Sequence, residues 1–498
     1  MNIKQAKQEI RQTLHIYLQK DAQGNYLIPT THQRPILLMG PPGIGKTAIV
    51  EQIAAQEHIA LVAYTMTHHT RQSAIGLPRL TERCYGGQTF TVTEYTLSEI
   101  IASVYDAIER SGCAEGILFL DEINCVSETL APTMLQFLQN KTFGNQKIPA
   151  GWLIVAAGNP PEYNKSVRDF DIVTLDRVRQ IRIAPEVEVF LRYAARKGIH
   201  GAVLSYLKIY PDHFYFAERT DESIRYVTAR GWEDLAVVLS SYERLCYPVS
   251  QELTEEFLCR EDVARSFYAY YQLYGKYGTD YAVRDILAHG SAAPKYAQKC
   301  DMAKNGDFAE RFTVVNLLLE VLERDFRRYV RQDRFAQALH DEIKRLQTEE
   351  IAPETRCTEL RDALQHDAQC GMLGDEESAA RERLVQRMEA IVLQAKQAHI
   401  YDRAGQVRFA QAAFEEDKNR RAETVRELQR RLDAAFGFVQ DAFGDGQEMT
   451  LLLTELTHSD AAMDYITRHG SDVYLEKSKK LMTHSEESQL RALCRQSL

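Results

Sequence analysis

The chain has 498 residues, 45% apolar and 26% charged, with a formal net charge of −10. That length supports two or more domains with sizeable cores, in the composition range of soluble globular proteins. The acidic balance argues against a general nucleic-acid binder, which would present a basic face. Nine scattered cysteines without a CxxC pair read as reduced thiols of a cytoplasmic protein.

The opening stretch MNIKQAKQEIRQTLHIYL reads as an amphipathic helix, without the apolar segment or cleavage site of a signal peptide. No run reaches the roughly 18 apolar residues of a membrane span, so no membrane association is expected. Short apolar runs then alternate with helical patterns to about residue 185. The expected strands are PILLM (Pro35–Met39), IALVAYTM (Ile59–Met66), GILFLD (Gly116–Asp121), WLIVAAG (Trp152–Gly158) and VRQIRIA (Val178–Ala184). Such alternation implies a parallel sheet covered on both faces. One segment, RCYGGQTFTVTEY (Arg83–Tyr95), breaks the rhythm and predicts a β-hairpin inserted before the helix TLSEIIASVYDAIE.

Beyond Pro185 the strands are expected to stop. The segment to about Gly290 reads as a compact all-α unit rich in Tyr and Phe. Charged helices follow. Leu384, Met388, Ile391 and Ala395 recur at helical spacing, and Val425, Leu428, Leu432, Ala435 and Val439 have the spacing of a coiled-coil seam. Gly371–Asp375 is the clearest loop between them, so an antiparallel helical arm or a plain bundle is expected. The resulting division is 1–184 for the α/β domain, 185–300 for a helical lid and 301–498 for a helical C-terminal domain.

The chemistry begins at GPPGIGKT, between an apolar strand and the helix AIVEQIAAQ. A glycine-rich turn entering a helix turns several backbone N–H groups into one concavity, the arrangement a polyphosphate needs. Gly40, Pro41, Pro42, Gly43, Ile44, Gly45, Lys46, Thr47 and Ala48 are the candidate binding residues. Lys46 would reach the outer phosphates, and the Thr47 hydroxyl would ligate Mg²⁺. ILFLDEIN ends a later strand in two acids. Asp121 is placed to organise the Mg²⁺ shell, and Glu122 to orient and polarise an attacking water. In AAGNPP, Asn159 is a candidate for contact with the γ-phosphate or the water. Arg177 in TLDRVRQ and Arg230 in VTARGWEDL are the arginines available to a transferring phosphoryl group, with Arg179 as the substitute for Arg177. The guanine-reading Asn-Lys-x-Asp turn has only NKSV (Asn164–Val167) as a near match, lacking the acid. ATP is therefore favoured over GTP.

The ordered set GPPGIGKT, ILFLDEIN, AAGNPP, LDRV and TARGWEDL resembles the AAA+ ATPases, and in particular their MoxR-like branch. The likeness covers roughly Pro35 to Leu245. That branch carries DEIN, a Gly-Asn-Pro sensor, LDR before the fifth strand, and a hairpin ahead of the helix that precedes the acidic strand. TARGWEDL departs from its commoner Ser-Pro-Arg. The resemblance implies an α/β P-loop core with a five-stranded parallel sheet in the order 5-1-4-3-2. It also implies a helical lid bearing a second sensor arginine, and a ring, usually of six subunits. Arg177 would then act on a neighbouring subunit. Relatives remodel or mature protein partners, often with proteins carrying a von Willebrand factor A domain. The other functions to weigh are a DNA-dependent translocase of restriction type, disfavoured by the acidic balance, and a slow nucleotide-gated scaffold working through the helical arm. His68 and His69 in THHT lack further ligands at metal spacing and read as loop or interface residues. FGDGQEM (Phe443–Met449) has too few acids for a calcium loop and reads as a turn into a helix.

Overall fold

The computed structural model describes residues 1–68, 76–127, 129–143, 146–163, 170–219, 224–369 and 373–480. The chain divides into two compact units. The first comprises Met1–Val189, Tyr215–Arg230 and Thr358–Arg383; the second comprises Phe190–Phe214, Gly231–Cys357 and the chain from Leu384 on.

In the first unit Asn2 opens the N-terminal helix Ile3–Tyr17 with a capping box: its side chain accepts from Gln5 N, and Gln5 answers on the Asn2 amide. The strands follow as β1 (Ile36–Met39), β2 (Ala60–Thr65), β3 (Pro78–Tyr85), β4 (Gln88–Tyr95), β5 (Gly116–Asp121), β6 (Thr142–Phe143), β7 (Gln146–Lys147), β8 (Trp152–Gly158) and β9 (Arg179–Arg182). Five of them form one sheet in the order β2-β5-β8-β1-β9, with every neighbouring pair parallel. Counted along the chain, this is the order 5-1-4-3-2.

Alternation along the buried strands feeds two cores. Leu37, Leu118, Leu120, Ile154 and Ala156 face a cluster completed by the helices Glu99–Ser111 and Ala131–Asn140. Ile36, Leu38, Ile117, Phe119, Leu153 and Val155 face the other side. There Ala6, Ile10 and Leu14 of the first helix join Ile49, Val50 and Ile53 of the helix Lys46–Glu57. Continuously apolar runs are what a sheet covered on both faces requires.

The inserted hairpin is β3–β4, paired from Pro78↔Tyr95 to Tyr85↔Gln88. It turns on Gly86 and Gly87, at φ 59° and 83°. Positive φ at both central residues is the type I′ geometry that matches strand twist. The hairpin stands ahead of the helix Glu99–Ser111 and carries exposed Leu80, Tyr85 and Phe90.

Strands do not stop at 185. β10 (Phe216–Arg219) and β11 (Ile224–Val227) form an antiparallel hairpin within the segment expected to be all-helical. Phe216, Ile224, Tyr226 and Val227 are aromatic and β-branched residues that favour a pleated surface. The other elements described in that segment are helices, from Val187–Lys197 to Val283–His289.

The second unit is built of helices. Two of them, Phe308–Thr348 and Arg403–Phe443, have 41 residues each. They run antiparallel, because Asp325 pairs with Arg431 and Asp333 with Arg421. Leu428, Leu432, Ala435 and Val439 are buried and Val425 is half-buried; in the helix Asp375–Gln397, Met388, Ile391 and Ala395 are buried. Of the expected loop Gly371–Asp375, Gly371 and Met372 lie outside the described residues. Leu373 and Gly374 are non-helical. Phe443 ends one helix and Gln447 begins the next, a plain turn between helices. Among the described residues no helix is long and apolar enough to cross a membrane.

Candidate functional site

The C-terminal ends of three neighbouring sheet strands lie side by side. Met39 of β1 is in register with Gly158 of β8, and Leu120 of β5 with Ala156. In open α/β sheets this edge is where ligands bind. Gly40–Gly45 continue from β1 into the helix that opens at Lys46, with Gly45 at φ 90° as its N-cap. Among the described residues the amides of Gly43, Ile44 and Gly45 have no acceptor. The first amides of the helix, through Ala48, are free of intrahelical partners by construction. The turn thus presents a cradle of N–H donors at a helix N-terminus.

Lys46 is only 8% exposed. Its ammonium donates to Gly40 O and Pro41 O at 2.9 Å each and to Asn159 Oδ1 at 2.8 Å. Burial pushes it down to about 8; Asp121 and Glu122 oppose that shift, while the Arg230 charge adds to it. Its partners are all neutral acceptors, so its positive charge is solvated by dipoles without being cancelled.

The Thr47 hydroxyl donates to Asp121 Oδ2 at 2.9 Å, and Asp121 Oδ1 accepts from the Glu122 amide at 2.9 Å. Glu122 sits in the left-handed region, at φ 55° and ψ 37°. Such a backbone is uncommon outside glycine and concentrates at functional sites. Its carboxylate accepts from Thr67 Oγ1 at 3.1 Å. Thr47 and Asp121 supply hard oxygen donors of the type Mg²⁺ takes. Among the described residues no three metal-binding side chains gather. An ion here would complete its shell with phosphate and water oxygens, so the residues fit a nucleotide-bound Mg²⁺ better than a protein cage.

Asn159 lies one residue beyond β8. Its backbone carbonyl accepts from Asn124 Nδ2 at 2.7 Å. Asn124 is buried, and a Cβ on Gly158 would lie 2.7 Å from its Oδ1. The turn carrying Glu122 and the turn carrying Asn159 are therefore locked together by a side chain that sequence reasoning left without a role. Its signal was the last letter of DEIN. Thr67 was missed too, since nothing local marks it as reaching a residue 55 positions away.

The three arginines differ. Arg230 begins the helix Ala229–Leu245 at its second residue, and its amide donates to Gly43 O at 3.2 Å, which brings it to the cradle. Arg179 is committed to the first helix, ion-paired with Glu9 and donating to Thr13 Oγ1 at 2.6 Å. Arg177 is exposed, with no side-chain hydrogen bond or ion pair among the described residues; it is not gathered into the cradle. His69, in the pair His68–His69, and Asn164–Val167 lie outside the described residues.

This geometry defines a P-loop nucleotide-binding core. Residues 35–178 match the AAA domain of the dynein-related subfamily. Nucleotide binding, typically with Mg²⁺, and hydrolysis are general to that family. No curated protein matches the chain. Among solved structures it is similar to the FIGL-1 AAA domain in complex with ADP, at 17% identity over 47% of this chain and 69% of that one. The TM-score is 0.29, a likeness too loose to add to the family match.

Proposed function

We propose that the chain is a MoxR-like AAA+ ATPase that binds ATP with Mg²⁺ at residues 40–48 and hydrolyses it. The observation that carries this reading is the pairing of Lys46 with Asn159 and of Thr47 with Asp121, with Glu122 next in line. One turn and two strand ends thereby supply a cation, a metal-ligand pair and a carboxylate. Bound ATP would bring the phosphoanhydride bond, and Mg²⁺ would neutralise its developing charge. Lys46 and the turn amides would hold the phosphates, Thr47 and Asp121 would hold the ion, and Glu122, steadied by Thr67, would polarise the attacking water and take up its proton. Asn159 orients that water, and Arg230 meets the phosphates from its own chain.

Arg177 is the arginine we assign to an adjoining subunit of a ring, by the resemblance a hexamer. Its side chain is uncommitted among the described residues, whereas Arg179 is tied to Glu9 and Thr13. Residues 1–184 would serve as the motor, 185–300 as the lid and 301–498 as the client-facing part. The work would be remodelling or maturing a protein partner, of which a von Willebrand factor A domain protein is the type the resemblance implies. The hairpin β3–β4, ahead of the helix that precedes β5, supports the MoxR-like branch.

Steady-state hydrolysis by Glu122→Gln tests the centre. ATP should still bind, with turnover reduced at least about 100-fold; wild-type turnover would reject the assignment. Hydrolysis at full speed by a protein that stays monomeric with ATP and Mg²⁺ would reject the ring.

A further inference from the structure

Two peptide units of the glycine turn are gripped from outside by Tyr215–Arg230, the segment that carries β10 and β11. The Tyr215 hydroxyl donates to Pro42 O at 3.1 Å, and the Arg230 amide donates to Gly43 O at 3.2 Å. Gly43 has φ 72°, and a Cβ placed on it would lie 2.9 Å from Thr228 Cβ. The chain leaving β11 is thus pressed against the turn.

In a planar trans peptide the C=O and N–H bonds point in opposite directions. With the Pro42 carbonyl turned to Tyr215, the N–H of the same unit, that of Gly43, faces away from Tyr215. With the Gly43 carbonyl turned to Arg230, the N–H of Ile44 faces away from Arg230. These are two of the turn amides without an acceptor among the described residues. Successive N–H groups fixed in this way form an anion-binding nest.

We propose that the 215–230 segment is a brace for the phosphate cradle. Tyr215 is a positioning residue that aims the Gly43 amide at a bound polyphosphate, and the Arg230 backbone does the same for Ile44. The inference rests on the nucleotide reading above and deepens it. The brace places its two hydrogen bonds on Pro42 O and Gly43 O, in the glycine turn, and not on the carboxylates of Asp121 or Glu122. It therefore sets nucleotide affinity, for ADP as for ATP, and leaves the chemical step alone.

Tyr215→Phe removes one hydroxyl and keeps the ring. Titration with a fluorescent ADP, which needs no turnover, should show about 3- to 10-fold weaker binding, the worth of one net hydrogen bond. KM for ATP should rise in step while kcat stays at the wild-type value. A second pair works independently of Tyr215. Arg230→Ala and Arg230→Pro both lack the guanidinium, but only the proline lacks the N–H, and proline is tolerated in the first helical turn. The proline variant should bind ADP about 3- to 10-fold more weakly than the alanine variant. Wild-type ADP affinity in Tyr215→Phe, or equal affinities in the Arg230 pair, would overturn the brace and leave the ATPase reading standing. Failure of the wild-type protein to bind either nucleotide would overturn both.

Discussion

Two buried lysines of the first unit and four half-buried or exposed cations of the second are held in different ways. In the first, Lys46 is held by two carbonyls and an amide oxygen, and Lys141 by the Gln33 amide oxygen at 3.1 Å. Neither makes an ion pair among the described residues. In the second, Arg421 and Arg468 share Asp333, Arg431 meets Asp325, and Lys208 meets Glu455 at 2.8 Å. A cation solvated by dipoles keeps its field available to an incoming anion. A cation paired with a carboxylate has its field largely cancelled and serves to fix helix register. Lys46 is thus set to receive charge, whereas these paired cations hold helices together.

The largest effect that would sharpen this contrast is at the glycine turn. Lys46→Met should weaken ADP and ATP binding by about 100-fold or more, because it removes the ammonium's charge-assisted bonds to the phosphates. Retained affinity would mean that the ammonium is structural, as the arginines of the second unit are. The next effect is in pH. Burial lowers both Lys46 and Lys141 to about 8 from an ordinary 10.5. Between those values the unfolded chain binds more protons than the folded one, so stability rises with pH through that window and is flat below it. Denaturant melts at pH 7.5 and 9.5 should show a wild-type gain of a few kcal/mol, on the order of 2 kcal/mol per lysine. Lys141→Met should remove about half of that rise; an unchanged rise would break the assignment. The smallest effect falls in the second unit. Asp333→Ala leaves Arg421 and Arg468 without their shared carboxylate and should lower the melting temperature by about 2–4 °C, with ADP affinity as in the wild type. A loss of ADP affinity would show that this ion pair also serves the cradle.

What could be read from sequence follows the same divide. The central strands β1, β5 and β8 and the glycine turn announce themselves, because burial on both faces demands unbroken apolar runs and a phosphate cradle demands glycines at short spacing. The pairing of Thr47 with Asp121 was inferable from motif order alone. β10–β11 was not, because FAER and IRYV are each four residues long and sit between strong helices. Tyr215 carried no signal either, since 173 positions separate it from Pro42. The arginines show the remaining limit. Arg177 and Arg179 are chemically alike in sequence, and only the capture of Arg179 by Glu9 and Thr13 tells them apart.

The left-handed backbone at Glu122 places folding and chemistry in opposition at one position. Glycine or asparagine there would relax the main chain by roughly 1 kcal/mol while deleting the carboxylate. Any selection that scores only how well the protein folds, such as a soluble-expression screen, will enrich those replacements and return a sturdier chain that has lost the acid proposed to activate water.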